Sequence, residues 1–272
     1  MPTYYENLKN KTAIITGGAS GLGAGIAKIL AKQGAVISLV DINSSNLQKT
    51  KNEIEELGNK IFTYTCDVTN QNQVKETIEL IEKEMNEIHI LVNSAGVIGA
   101  TSVNNNSDIK NLEDWDATYS INVKGTAIVS EEVASKMKKN NYGKIINISS
   151  HGGKYPNPGN PAYSASKAAV INLTQSYAAK WAKNNINVNV ICPGSIWTSM
   201  WEKNAINTIE NDKSISHLTP REFFLQFISE NCPLQREQTA EDIGNGVAFF
   251  ASDNSLNITG QSLNINGGTI MD

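Results

Sequence analysis

The sequence predicts an α/β fold: one doubly wound parallel sheet of about seven strands, with helices covering both faces. Three observations predict it. Short runs rich in Ile and Val alternate with longer stretches of helical periodicity along the whole chain. The first apolar run ends in a glycine cluster, and the second stops at an acidic residue. No linker, repeat or low-complexity block divides the 272 residues, and 40% of them are hydrophobic, enough for one large core. Repeated βα units bury both sheet faces, which requires parallel strands joined by right-handed crossovers.

The elements follow in order. Residues 13–16 form a first strand that runs into glycines, and 26–32 continue with helical spacing. Residues 36–40 form a second strand, ending before Asp41. Residues 46–57 read as a charged helix capped by Gly58. Residues 61–65 alternate as a strand, and 74–85 carry an apolar helical stripe at Val74, Ile78, Ile81 and Met85. Further strands are expected at 88–92, 144–148 and 186–191. Long helices are expected over 115–138 and 162–183, then a last helix at 240–251 and a last strand at 261–265. Two segments break the rhythm: 99–111, with Asn104, Asn105 and Asn106 in a row, and 198–235, rich in aromatics. Long insertions of this kind are often functional lids. The abundance of Asn, Lys and Ile is attributed to genome composition rather than to function.

A net charge of -4 and a pI near 5.5 argue against nucleic acid or an anionic membrane as partner. Cys66, Cys192 and Cys232 are widely separated, with no paired-cysteine motif or histidine cluster beside them. Neither a disulfide framework nor a metal site is expected, and a reducing compartment fits. The N-terminal segment lacks the apolar run of a signal peptide, and no stretch reaches membrane-spanning length, so a cytoplasmic location is expected.

The first strand enters Gly17-Gly18-Ala19-Ser20-Gly21-Leu22-Gly23. A glycine turn feeding a helix N-terminus lets backbone N–H groups approach a pyrophosphate, whose charge the helix dipole favours. An ordinary turn with helix caps would look the same. Asp41, ending the second strand, adds information. A carboxylate there accepts hydrogen bonds from an adenosine ribose and repels a 2′-phosphate. Neither Ser20 nor Ile42 is basic. NAD is therefore expected rather than NADP, although Asp41 could instead cap the following helix.

Tyr163 and Lys167, at i and i+4, share one face of a helix. A phenol ordinarily ionises near pH 10, and a neighbouring ammonium lowers that value, so Tyr163 could exchange a proton with an alcohol. Ser150 ends the strand at 144–148, where parallel sheets of this kind bind ligands. The Gly- and Pro-rich connection to Tyr163 can fold back to bring the two together. A serine merely ending a strand remains the alternative.

These ordered motifs resemble the short-chain dehydrogenase/reductase family over nearly the whole chain. The resemblance implies a single Rossmann-type domain and a dinucleotide site at Gly17, Ser20, Gly21, Leu22 and Gly23, with Asp41 selecting NAD. It places Asp67 and Val68 at the adenine. Asn93-Ser94-Ala95-Gly96 corresponds to the family's Asn-Asn-Ala-Gly motif, departing at Ser94, and implies Asn93, Ala95 and Gly96 near the adenosine. It implies Pro193, Gly194, Ile196 and Thr198 at the nicotinamide, and a tetrad of Asn122, Ser150, Tyr163 and Lys167. In this scheme Tyr163 exchanges the substrate proton, Lys167 lowers its pKa and holds the nicotinamide ribose, and Ser150 donates to the substrate oxygen. Asn122 holds a water relaying protons to Lys167. A homotetramer is also implied, with 260–272 as a candidate interface.

The substrate is narrowed less. Ser150, His151, Tyr163, Trp197, Met200 and Trp201 are candidates to meet it, while His151 could equally be a solvated loop residue. Phe223, Phe224 and Phe227 fit one helix face and either pack on the domain or line an apolar lid within 198–235. The sequence around Thr198 resembles the polyol and acetoin/butanediol branch, which implies a polyol, sugar alcohol or vicinal diol. The aromatic content also suits a hydroxysteroid. A nucleotide-sensing protein without turnover is the remaining reading, though all four tetrad positions are filled.

Overall fold

The computed structural model describes residues 5–56, 58–99 and 112–272. Their strands are β1 (Thr12–Thr16), β2 (Val36–Asp41), β3 (Ile61–Thr65), β4 (Ile90–Asn93), β5 (Gly143–Ile148), β6 (Ile186–Pro193) and β7 (Ser262–Ile265). All six pairings are parallel, in the order β3-β2-β1-β4-β5-β6-β7. The order reverses direction between β1 and β4, the crevice where doubly wound folds bind ligands. The expected single domain with a seven-stranded parallel sheet and helices on both faces is what forms.

Period-two alternation distributes the apolar residues between two cores. Ala13, Ile15, Ile90, Val92, Ile146 and Ile191 face α1 (Gly21–Lys32), α2 (Ser44–Glu55) and α9 (Ala240–Ala251). Ile14, Leu91, Ile145 and Val188 face α3 (Gln71–Met85), α5 (Thr126–Asn140) and α6 (Pro161–Trp181). Both cores exclude water almost completely, so the sheet is a rigid platform whose C-terminal edge carries the loops.

Several helices begin before their apolar stripes. Asn43 caps α2 by accepting the Asn46 N–H at 3.0 Å. Asn70 caps α3 by accepting the N–H groups of Asn72 at 3.1 Å and Gln73 at 3.2 Å. Such caps satisfy otherwise orphaned donors, so the helices start at Ser44 and Gln71, ahead of the expected 46 and 74. The helix expected over 115–138 is interrupted. It runs as α4 (Leu112–Tyr119), a wider π-type turn (Ser120–Gly125) and then α5. Such turns recur at functional sites, and this one contains Asn122.

The 198–235 segment is built from α7 (Ser199–Asn211) and α8 (Pro220–Asn231) around a third, small core of Phe224, Ile228 and Cys232. Thr219 and Glu222 form a capping box that starts α8. Arg221 holds Glu237 through paired contacts of 2.7 and 2.8 Å, fastening the segment to the chain beyond it. Of the 99–111 insertion, 100–111 lies outside the described residues.

Candidate active site

The strands deliver their C-terminal ends to one cleft of about 1040 Å³. At one end lies the glycine turn. Gly17 has a φ of +67°, and a Cβ on Gly23 would stand 2.1 Å from the Gly17 carbonyl oxygen, so the turn closes only without a side chain there. No side chain caps the first turn of α1, whose Gly21, Leu22 and Gly23 face the cleft. This cradle fits a pyrophosphate, because bare helix N-termini attract anions.

Asp41 stands beside it. Its Oδ2 accepts the Ala19 N–H at 3.1 Å and its Oδ1 the Asn43 N–H at 3.0 Å, so it ties the glycine turn to the end of β2. The cap of α2 is Asn43, which removes helix capping as the reason for Asp41. Each carboxylate oxygen keeps a lone pair for a ribose hydroxyl. Lys167 is the one lysine or arginine among the described residues lining the cleft, and it lies at the far end.

Asp67, Val68, Ala95 and Gly96 also line the cleft. Thr16 positions the turn that carries Ala95: its hydroxyl oxygen accepts the N–H groups of Ser94 and Ala95, each at 3.2 Å. Sequence reasoning misses this role, since a threonine ending a strand carries no distinguishing signal. Asn93 does not reach the cleft. It is 3% exposed, and its amide donates to Ser130 at 2.9 Å and Asn147 at 2.8 Å, inside the core. The register pairs Asn93 with Asn147, which turns both toward the helices rather than the crevice.

The reactive end is set by α6. Asn160 caps it by accepting the Tyr163 N–H at 3.2 Å, and Pro161 follows in the first turn, so Tyr163 projects at the helix start and Lys167 one turn on. The 3₁₀ turn His151–Gly153 packs directly on α6, where a Cβ on Gly153 would meet the Lys167 backbone at 2.7 Å. The Ser164 hydroxyl donates to the Gly152 carbonyl across the same contact. This closeness brings Ser150 and Tyr163 together on the cleft wall, where the Ser150 hydroxyl oxygen accepts the Gly152 N–H at 3.0 Å.

Burial governs the titration here. It pushes the Tyr163 phenol up, and the nearby Ser150 hydroxyl offsets part of that. Burial brings Lys167 down to about 8. The ammonium nitrogen lies 5.6 Å from the Tyr163 ring centre and donates to the Ile148 carbonyl at 3.0 Å. The expected lowering of the phenol by Lys167 does not prevail: the phenol is raised, with burial as the largest cause.

Asn122 is 1% exposed and braces the neighbouring loop. Its Oδ1 accepts the Val97 N–H at 2.8 Å, and its Nδ2 donates to the Val97 carbonyl at 2.9 Å and to Ser166 at 3.0 Å. Both amide donors are engaged, leaving one Oδ1 lone pair for the expected relay water.

Pro193, Gly194, Ile196 and Thr198 line the cleft, and Thr198 also caps α7 by accepting the Trp201 N–H at 3.3 Å. The aromatic segment divides its labour. Phe224 is fully buried against Trp201, 4.6 Å away, and Trp197, 5.2 Å away, with the Arg221 guanidinium over Trp197. Trp197 is therefore packing, not cleft wall. Phe223, Phe227 and Trp201 face the cleft. The Met200 side chain lies outside the described residues. His151 is half-buried on the cleft wall with its ring edge against Tyr155, 5.4 Å between centres, not solvated. Burial holds its pKa below the usual histidine value. The cleft also includes Tyr155, Asn157, Asn204, Thr208, Asn211 and Asp212, none of them anticipated. For Asn157, Asn204 and Asn211 the one signal in the sequence is the abundance of asparagine attributed above to genome composition.

A nucleotide-ready crevice opening onto a Ser, Tyr and Lys cluster defines a class of oxidoreductase, and likeness to known proteins supports the same class. The family described as short chain dehydrogenase matches residues 11–208, and the chain belongs to that family. It is 35% identical to a 3-oxoacyl-(acyl-carrier-protein) reductase of Thermotoga maritima, over 97% of this chain and 99% of that protein. It is 36% identical to a diacetyl reductase, (S)-acetoin forming, of Staphylococcus epidermidis, over 96% of this chain and 99% of that one. Among solved structures, an NAD+-bound xylitol dehydrogenase superposes with a TM-score of 0.87 at 32% identity, covering 96% of this chain and 99% of the other. The family binds a nicotinamide cofactor, so the chain is a short-chain oxidoreductase. Among the described residues no helix is long and apolar enough to cross a membrane.

Proposed function

We propose that this chain interconverts a secondary alcohol and its ketone using NAD(H), with a polyol, sugar alcohol or vicinal diol as substrate. The observation that carries the reading is a single cleft lined by the glycine cradle and Asp41 at one end and by Ser150, Tyr163 and Lys167 at the other. The cradle and Asp41 would hold the pyrophosphate and adenosine ribose of NAD. Asp67 and Val68 would flank the adenine, and Pro193, Gly194, Ile196 and Thr198 would border the nicotinamide. A bound nicotinamide would supply the hydride acceptor or donor.

The protein's own residues manage the oxygen and its proton. Ser150 donates a hydrogen bond to the substrate oxygen, stabilising the negative charge that develops there. Tyr163 takes the hydroxyl proton as the carbinol C–H bond breaks, and returns it in ketone reduction. Burial disfavours a lone phenolate and a lone ammonium alike, but the two beside each other compensate. Lys167 therefore makes the charged form of Tyr163 accessible at the moment of transfer and would hold the ribose of a bound nicotinamide nucleotide. Asn122 braces the loop at Val97, which would border the bound cofactor.

The substrate end supports a hydroxylated ligand. Asn204, Thr208 and Asn211 share one face of α7 with Trp201, and Asn157, Phe223 and Phe227 line the same cleft. That mixture suits a sugar alcohol, with C–H groups on aromatic faces and hydroxyls on amides. The segment 198–235, built on its own small core, would act as the cover over this end. Cofactor-dependent absorbance with xylitol, 2,3-butanediol, a hydroxysteroid and a 3-oxoacyl thioester tests the reading. Turnover of the polyol or diol with NAD is expected. Turnover of the steroid or thioester alone, or a preference for NADP, would overturn it.

A further inference from the structure

Gln238 occupies a place that no step above uses. It is 7% exposed and does not line the cleft, yet it packs on the loop that does. Its backbone forms a parallel bridge with Ile196. Its side-chain amide fits between two glycines just beyond β6 and β7: a Cβ on Gly194 would stand 2.1 Å from its Oε1, and one on Gly267 would stand 2.9 Å from its Nε2. That Nε2 donates to the Arg236 carbonyl at 3.2 Å and to Cys232 Sγ at 3.6 Å. Cys232 belongs to the small core of the 198–235 segment, so the amide reaches from that segment to the loop at Gly194. On its other side Thr239 begins α9 with a capping box completed by Asp242, which fixes the backbone next to Gln238.

We infer that Gln238 is a positioning residue for the nicotinamide half of the cofactor, a wedge that sets where the 193–198 loop stands. The inference rests on the dinucleotide-binding reading above. Gly194 and Ile196 border the cleft and Gln238 does not, so the amide supports the loop from the side away from the cofactor. Its Oε1 is buried with no hydrogen-bond partner among the described residues. An unpaired buried acceptor costs stability, so hydrogen bonding by this oxygen does not account for the side chain. The space it fills against Gly194 does. Without it a cavity would open there, and Gly194, with no side chain of its own, would let the loop settle into it. The loop would then draw away from the nicotinamide, where small displacements weigh heavily. The glycine cradle and Asp41 are carried by β1, α1 and β2, so the adenosine half should not feel the change.

The test compares NADH with ADP-ribose, which keeps the adenosine, the pyrophosphate and the second ribose but lacks the nicotinamide. Affinities for both are measured by titration calorimetry in the wild type, Gln238→Ala and Gln238→Met. Gln238→Ala should lower the preference for NADH over ADP-ribose about fivefold or more, with ADP-ribose affinity held within about twofold. Gln238→Met, which fills a similar volume, should keep the preference within about twofold of the wild type. Should Gln238→Ala fail to fold, Gln238→Asn, which withdraws the amide by one methylene, carries the same comparison and should show the same direction. A preference unchanged in the shortened variant, a fall in both affinities together, or a Gln238→Met as impaired as the shortened variant would each overturn the wedge. A wild type that bound neither ligand would instead overturn the dinucleotide reading on which the inference rests.

Discussion

Lys167 Nζ lies 5.6 Å from the centre of the Tyr163 ring, yet its hydrogen bond goes to the Ile148 carbonyl at 3.0 Å rather than to the phenol. The cation is thereby anchored to the end of β5, the same strand whose end carries Ser150. One strand terminus thus sets the position of the charge and, through the following turn, of the hydroxyl that meets Tyr163. Desolvation opposes charge on both members, raising the phenol and lowering the amine to about 8. On the proposed reading, proton transfer at Tyr163 would depend on the pair acting together.

Asp41→Asn should raise the kcat/KM ratio for NADP over NAD by about tenfold or more, since it removes a negative charge beside the site of the 2′-phosphate. The amide keeps an oxygen for the Ala19 N–H, so the glycine turn should hold. Steady-state kinetics with both cofactors measures this. An unchanged ratio would mean that Asp41 ties the turn without selecting the cofactor.

Adjacent phenylalanines should respond differently. Phe224→Ala empties a site that is 0% exposed and should cost about 3–5 kcal/mol in urea unfolding. Phe223→Ala should cost about 1 kcal/mol or less in stability, as a partly exposed side chain, and should raise KM for the polyol. Equal stability losses would contradict the division between packing and cleft.

Lys144 provides a pH test far from the chemistry. It is 1% exposed, hydrogen-bonded to Asn187 and Ser255, and lowered by burial to about 8. The unfolded chain binds this proton up to about pH 10.4, so between those values folding becomes more favourable as pH rises. The stability of Lys144→Met relative to wild type should therefore fall by about 1 kcal/mol between pH 7 and pH 9, read from urea midpoints. A constant difference would show that the amine keeps its ordinary pKa.

Much of this is legible from pattern alone. Short strand-like runs between helical stretches identify all seven strands, the central ones near-continuously apolar because a parallel sheet buried on both faces demands it. The glycine turn, Asp41 and the tetrad positions are legible because each sits at a strand end or helix start, where sequence spacing maps onto space. Direction is not. Asn93 ends β4 as expected, but only the β4–β5 register shows it facing Asn147 inside the core. Trp197 reads as a cleft residue in sequence and Phe224 as either packing or lid, because packing among α7, α8 and the loop before them is nonlocal and only the small third core decides them. The turn holding Asn122 reads as continuous helix, since a π-type turn leaves the surrounding apolar periodicity nearly intact.

Tyr163→Phe tests the central claim most directly, because it removes one hydroxyl and little else. With a polyol or diol and NAD, NADH formation should fall about 10³-fold, within the range attributed to a positioned proton-transfer group, while NAD affinity by titration calorimetry should stay within about twofold. A variant that kept a large part of its turnover would contradict the assignment of Tyr163 as the group that exchanges the substrate proton.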